Sequence, residues 1–214
     1  AAVILFLFNF SFLNNFVFFE SDYINYLAAF IFTVLFFVGG VNAFNLIDGI
    51  DGLAGSIGVV NMLFFCIAFY GYGEHEFASF SFLVLISLLA FLKMNWQPAK
   101  IFMGDTGSLV IGTLIIIFIF KIYTLENTAL FCSSLSVIAL PIIDTARLFV
   151  KRILGGTSPF KADKNHFHHL LLRFNHNHSQ AAKILLKIHL IIIITSTALI
   201  QILELSIIST TILI

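Results

Sequence analysis

Long apolar runs recur along the whole chain, at residues 3–19, 24–44, 53–70, 77–92, 108–122, 128–150 and 184–203, and a further one begins near Ser206. A helix crossing the hydrocarbon of a bilayer needs about 20 mostly apolar residues, because its backbone polar groups must all be satisfied within the segment. The pattern therefore predicts an all-α fold, a polytopic transmembrane helical bundle of about seven to eight spans. Composition excludes an ordinary soluble domain: 60% of the 214 residues are hydrophobic and only 10% are charged, against roughly 25% charged in soluble proteins. The runs at 77–92 and 108–122 are short for a span, which predicts helices enclosed by protein and completed by polar residues of a site.

The charges matter by position rather than by sum. Eleven basic and eleven acidic side chains cancel, so no global field points to nucleic acid, and none is expected as a partner. If the spans alternate, Lys93, Lys100, Arg147, Lys151, Arg152, Lys161, Lys164, Arg173, Lys183 and Lys187 fall on one side and Lys121 alone on the other. The positive-inside rule makes the crowded side cytoplasmic. Three segments on that side, residues 42–52, 93–107 and 151–183, hold nearly every residue able to carry chemistry. Cys66 and Cys132 lie in apolar runs and are read as packing residues.

In the first segment Asp48 and Asp51 are each followed by glycine, with Asn42 and Asn45 at helical spacing before them. Asp51 capping the next helix and Asp48 closing a turn would be the plain explanation. Two amides and two carboxylates on one membrane-boundary surface favour a functional one. In the second segment Asn95 and Phe102 precede Gly104-Asp105-Thr106-Gly107-Ser108, which opens a helix. Helix N-termini suit phosphate, and a carboxylate there suits a magnesium ion bridging phosphate oxygens, although Asp105 could equally cap the helix. Phe102 is a candidate platform for a planar base, packing against lipid or protein being the alternative.

The third segment is basic and rich in histidine, with Lys164, His166, His168, His169 and Arg173 suited to clamping a diphosphate. Zinc is disfavoured because no cysteine joins the cluster and because His166 and His168 point apart in most regular structures. His176 and His178 read as surface residues. Asp144 and Arg147, three apart, are expected to pair on one helix face within the membrane.

The strings Asn-Ala-Phe-Asn-Leu-Ile-Asp-Gly-Ile-Asp-Gly-Leu from Asn42, Pro-Ala-Lys-Ile-Phe-Met-Gly-Asp-Thr-Gly-Ser from Pro98, and Ser-Pro-Phe-Lys-Ala-Asp-Lys-Asn-His-Phe-His-His-Leu-Leu from Ser158 occur in this order. Together they resemble the polyprenyl-phosphate N-acetylhexosamine-1-phosphate transferases. The resemblance implies a bacterial inner-membrane enzyme, with cytoplasmic active-site loops. Undecaprenyl phosphate would attack the β-phosphorus of a UDP-N-acetylhexosamine and release UMP, with Mg²⁺, or Mn²⁺ in its place, as cofactor. It implies Asp105 as metal ligand, Phe102 on uracil, Asn95 and Asp51 holding uridine, and Asn42, Asn45 and Asp48 lining the same pocket. His166, His168 and His169 would contact the diphosphate, with Lys164 and Arg173 adding charge. Asp48, Asp51, Asp105, His168 and His169 are thus the expected catalytic set.

His166-Phe167-His168-His169 resembles the branch that starts O-antigen or teichoic acid with N-acetylglucosamine-1-phosphate. The peptidoglycan branch, which uses UDP-N-acetylmuramoyl-pentapeptide, typically has three consecutive histidines. The family also carries an adjacent Asp-Asp pair upstream of the first motif, and none is present here. A single transferase domain over 1–214, truncated at both ends and inactive alone, is the expectation, and a homodimer is compatible with it. A transporter would place its acids near the midplane. An intramembrane aspartyl protease has no use for the histidine loop, and a decayed scaffold would not keep its motifs intact.

Overall fold

A computed structural model describes residues 22–158 and 165–212. The described residues form seven helices: α1 (Asp22–Leu46), α2 (Leu53–Gly71), α3 (His75–Asn95), α4 (Gly104–Tyr123), α5 (Thr128–Leu154), the short α6 (Phe167–Arg173) and α7 (His178–Ile212). All but α6 are long and apolar enough to cross a membrane, and the protein is a polytopic helical membrane protein. The expected span at 3–19 lies outside the described residues.

The runs at 77–92 and 108–122 are lengthened as expected, α3 to 21 residues and α4 to 20, but α3 is mostly exposed rather than enclosed by protein. Their extra turns are polar, ending in Lys93 and Asn95 and beginning at Gly104, so the site supplies the missing length. The separate span expected near Ser206 does not start there, because α7 runs unbroken to Ile212. Gln201 and Glu204 are polar but are not helix breakers, and no glycine, proline or asparagine follows Asn177.

Helix α2 is the hub, packing on α3, α7, α4 and α5, while α1 packs on α4 and α5. Lipid tails are as apolar as leucine, so membrane helices associate through close packing. Gly112 shows how: a Cβ there would meet the Val41 carbonyl at 3.2 Å and the Phe44 Cβ at 3.3 Å, so α1 and α4 cross backbone to backbone. That crossing lies one turn from Asn45 and Ser108, whose side chains join by a short hydrogen bond donated by the Ser108 hydroxyl. At the other end of the bundle Lys121 pairs with Glu74 at 2.8 Å and lies over the Phe77 ring. The lone cation expected on that side thus has its counter-ion in the opposite turn.

Candidate functional site

The loop after α1 folds tightly, Asp48 N–H donating to Asn45 O at 3.1 Å and Gly49 N–H to Ile47 O at 2.9 Å. Gly52 then enters α2 with φ +78°, a conformation that side chains resist, and its open face lies on the Trp96 ring. Its N–H donates to Asn95 Oδ1 at 3.0 Å, and Asn95 Nδ2 donates to Ile101 O at 2.9 Å. Buried Asn95 therefore ties the first polar segment to the second.

The two aspartates of the first segment do different work, and neither caps a helix. The N-cap of α2 is Gly52 and that of α4 is Met103, both without a side-chain cap bond. Asp51 Oδ2 accepts from Ala99 N–H at 3.2 Å, and Oδ1 lies 3.4 Å from His178 Nδ1. His178 is thus part of the site rather than a bystander on the surface. Its position at the start of α7, far along the chain from Asp51, left no local signal. Gln97 Oε1 accepts from Ser179 N–H at 2.7 Å beside it.

Asp48 meets the start of α4. Burial raises its carboxyl above the ordinary carboxylate range; a hydrogen bond from Gly104 N–H acts against this, and nearby Asp105 adds to it. Asp105 is exposed in the first turn of α4, and Phe102 stands 76% exposed beside it. Asn45 is tied to the first turn of the same helix through Ser108. Asn42 lies one turn earlier and exposed, its amide donating to Val38 O at 2.9 Å within α1.

Asp144 organises the histidine segment, a role broader than the expected pairing with Arg147. That pair is present at 2.9 Å, but the buried carboxylate also accepts from His166 Nδ1 at 3.0 Å and from Phe167 N–H at 3.1 Å. Arg147 donates to Asn165 O at 2.6 Å and covers the Phe167 ring at 4.5 Å. The only signal in the sequence was the cost of burying an aspartate in a membrane helix.

His166 does not point away from His168. Because His166 is the N-cap of α6, with φ −58° and ψ 155°, the chain turns between them and the rings stack 5.7 Å apart at 3°. The His169 ring centroid lies 4.2 Å from that of His168, tilted by 53°. Burial, then the neighbouring imidazoles, lower the His168 pKa to about 4, so its ring is neutral near pH 7. Its edge rests on Gly49, where a Cβ would come within 2.6 Å of Cε1 and nearer still to Nε2. Arg173, on α6, is exposed and donates to Asn165 Oδ1 at 3.1 Å. Lys164 lies outside the described residues.

The fold thus assembles two acids at a helix N-terminus, a neutral imidazole and an exposed aromatic ring at one end of a membrane bundle. A probable undecaprenyl-phosphate N-acetylglucosaminyl 1-phosphate transferase of Bacillus subtilis (strain 168) is 38% identical over 170 residues, 78% of this chain and 47% of that protein. An undecaprenyl-phosphate alpha-N-acetylglucosaminyl 1-phosphate transferase of Escherichia coli (strain K12) is 33% identical over 156 residues, 70% of this chain and 42% of that protein. A phospho-N-acetylmuramoyl-pentapeptide-transferase of Clostridium novyi (strain NT) is 46% identical, but over 84 residues, 39% of this chain and 26% of that protein. The chain therefore spans less than half the length of these curated relatives. Residues 1–123 match the model of glycosyl transferase family 4, and the chain belongs to that family.

Proposed function

We propose that this chain carries the nucleotide and diphosphate half of a polyprenyl-phosphate N-acetylhexosamine-1-phosphate transferase, with UDP-N-acetylglucosamine as the sugar donor. The observation that carries the reading is the meeting of Asp48 with Gly104 and Asp105 at the start of α4, under a histidine segment that rests on Gly49. An oxygen of undecaprenyl phosphate forms a bond to the β-phosphorus of the UDP-sugar. The bond from that phosphorus to the α–β bridging oxygen breaks, and UMP leaves with this oxygen. The sugar keeps its bond to the β-phosphate, and no proton is gained or lost.

Such a transfer needs positioning and charge compensation more than a covalent nucleophile. Asp105 and Asp48 offer hard oxygen donors, and the raised carboxyl of Asp48 is what a nearby divalent cation would relieve. That donor set fits Mg²⁺, which is usually held by one or two carboxylates plus substrate phosphates and would neutralise charge on the diphosphate. Phe102 offers a free ring face to uracil. Asn95 and Asp51 hold the backbone around it, and His168, kept neutral, brings an imidazole to the diphosphate without adding fixed charge.

The lipid phosphate reaches the site from the bilayer. A cleft of about 500 Å³ between α1 and α5, lined by Phe36, Gly39, Gly40, Ala146 and Phe149 among others, is almost wholly apolar and suits a prenyl tail. The cytoplasmic orientation rests on the crowding of basic residues at this end. The peptidoglycan-branch alternative has the narrower support, a match over 39% of the chain.

Membranes containing the full-length protein to which this chain belongs, given undecaprenyl phosphate, Mg²⁺ and UDP-N-acetylglucosamine, are expected to release UMP and form a lipid-linked sugar. No product from any UDP-N-acetylhexosamine would overturn the reading.

A further inference from the structure

Away from the site, in the middle of the membrane, two fully buried polar side chains meet. Asn61 of α2 and His189 of α7 are each 0% exposed, and His189 Nε2 lies 2.7 Å from Asn61 Oδ1. Asn61 Nδ2 donates to the Val137 carbonyl of α5 at 3.0 Å. A carbonyl only accepts, which fixes the amide orientation and makes His189 the donor through Nε2–H. The Val137 carbonyl is free for this bond because the residue four positions on is Pro141, inside α5 and without an N–H. The amide of Asn61 therefore replaces the backbone bond that the proline removes, and His189 holds the amide in place.

The placement along the helices connects this clasp to the site. Val137 and Asp144 are roughly two turns apart on one face of α5, and both are buried. His178 and His189 are roughly three turns apart on one face of α7; the first meets Asp51 and the second Asn61. Helix α7 is thus pinned at the level of the site to the loop that enters α2, and again below it to α2 itself, and the lower pin also grips α5.

We propose that Asn61 and His189 are positioning residues: by closing the proline-opened turn of α5 they set the height and rotation of Asp144, and hence the seat of His168 on Gly49. The kinetic part of this inference rests on the transfer reading; the structural part does not. Misplacement of a catalytic segment by a fraction of an ångström costs turnover rather than nucleotide affinity, because the uridine contacts lie on other loops.

In the membrane-embedded protein, Asn61→Leu and His189→Leu are expected to lower kcat by about tenfold or more while KM for the UDP-sugar stays within about twofold. Both are expected to speed amide exchange over residues 165–173, where Asp144 holds the Phe167 N–H. His189→Gln, which presents an N–H at similar reach, restores both. Pro141→Ala supplies a backbone donor to Val137, so Asn61→Leu is expected to lower kcat less in that background than in the parent. Unchanged kcat and exchange in the leucine variants, or a glutamine variant no better than leucine, would overturn the proposal. If the wild type releases no UMP from any UDP-sugar the transfer reading fails, and the exchange rates still decide whether the clasp seats the histidine segment.

Discussion

The imidazole of His168 occupies the space where residue 49 would carry a side chain, a Cβ there reaching within 2.6 Å of Cε1. Gly49 is not among the glycines with positive φ, so what forbids a side chain is this contact rather than the backbone. Gly49→Ala is expected to unseat the ring and lower the rate of UMP release by about a hundredfold. The double variant Gly49→Ala with His168→Ala should be no slower than His168→Ala alone; additive losses would separate the two residues.

A neutral buried imidazole leaves a pH signature. The folded His168 titrates at about 4 against 6.5 for a free ring, so between those values the unfolded chain binds more protons and stability rises with pH. As pH falls from 6.5 towards 4, the thermal midpoint is expected to drop, and to drop less steeply in His168→Gln. Midpoints measured across that window in wild type and variant check the sign.

Asp105→Asn removes the carboxylate that the transfer reading gives to the metal, and a like charge beside Asp48. Turnover is expected to fall by at least about a hundredfold with expression in the membrane unchanged. The Asp48 carboxyl should titrate lower than in the parent, because the charge that helps raise it is gone. Initial rates over a Mg²⁺ series provide the check, and undiminished Mg²⁺-dependent activity would remove Asp105 from the metal site.

Asp144→Asn keeps an acceptor for the Phe167 amide but leaves Arg147 without its counter-ion. Removing one partner of a buried pair is expected to cost about 3 kcal/mol, read as a lower thermal midpoint. Asp144→Asn combined with Arg147→Gln should recover part of the loss. The exposure of Arg147, 31% of its side chain, keeps the cost at the low end.

The spans were legible because burial in lipid imposes long apolar runs, and the strings around Asp48, Asp105 and His168 were legible because they are contiguous. What escaped was whatever depended on distant partners. His178 has nothing around it to mark it, yet it meets Asp51. Asp144 announced a local pair with Arg147, while its larger task, holding His166 and the Phe167 amide, needed the chain to return after the segment that follows α5. The stacking of His166 on His168 escaped for a smaller reason: an alternation rule assumes regular backbone, and a helix begins between them. Asn61 and His189 are single polar residues in apolar runs, and only the carbonyl opened by Pro141 explains them.

Asp51 and His178 meet across 127 residues of chain, and that span gives the site a timetable. Proteins are made from the N-terminus at about 5–20 residues per second, so the acids of the first two segments are synthesised and threaded well before α6 and α7 exist. A nascent chain halted after α5 holds the carboxylates without the imidazole that rests on Gly49 or the helix that pins Asp51. Completion of α7 is therefore the event that brings His178 to Asp51, and a ribosome that stalls before it leaves the first two segments without that clamp.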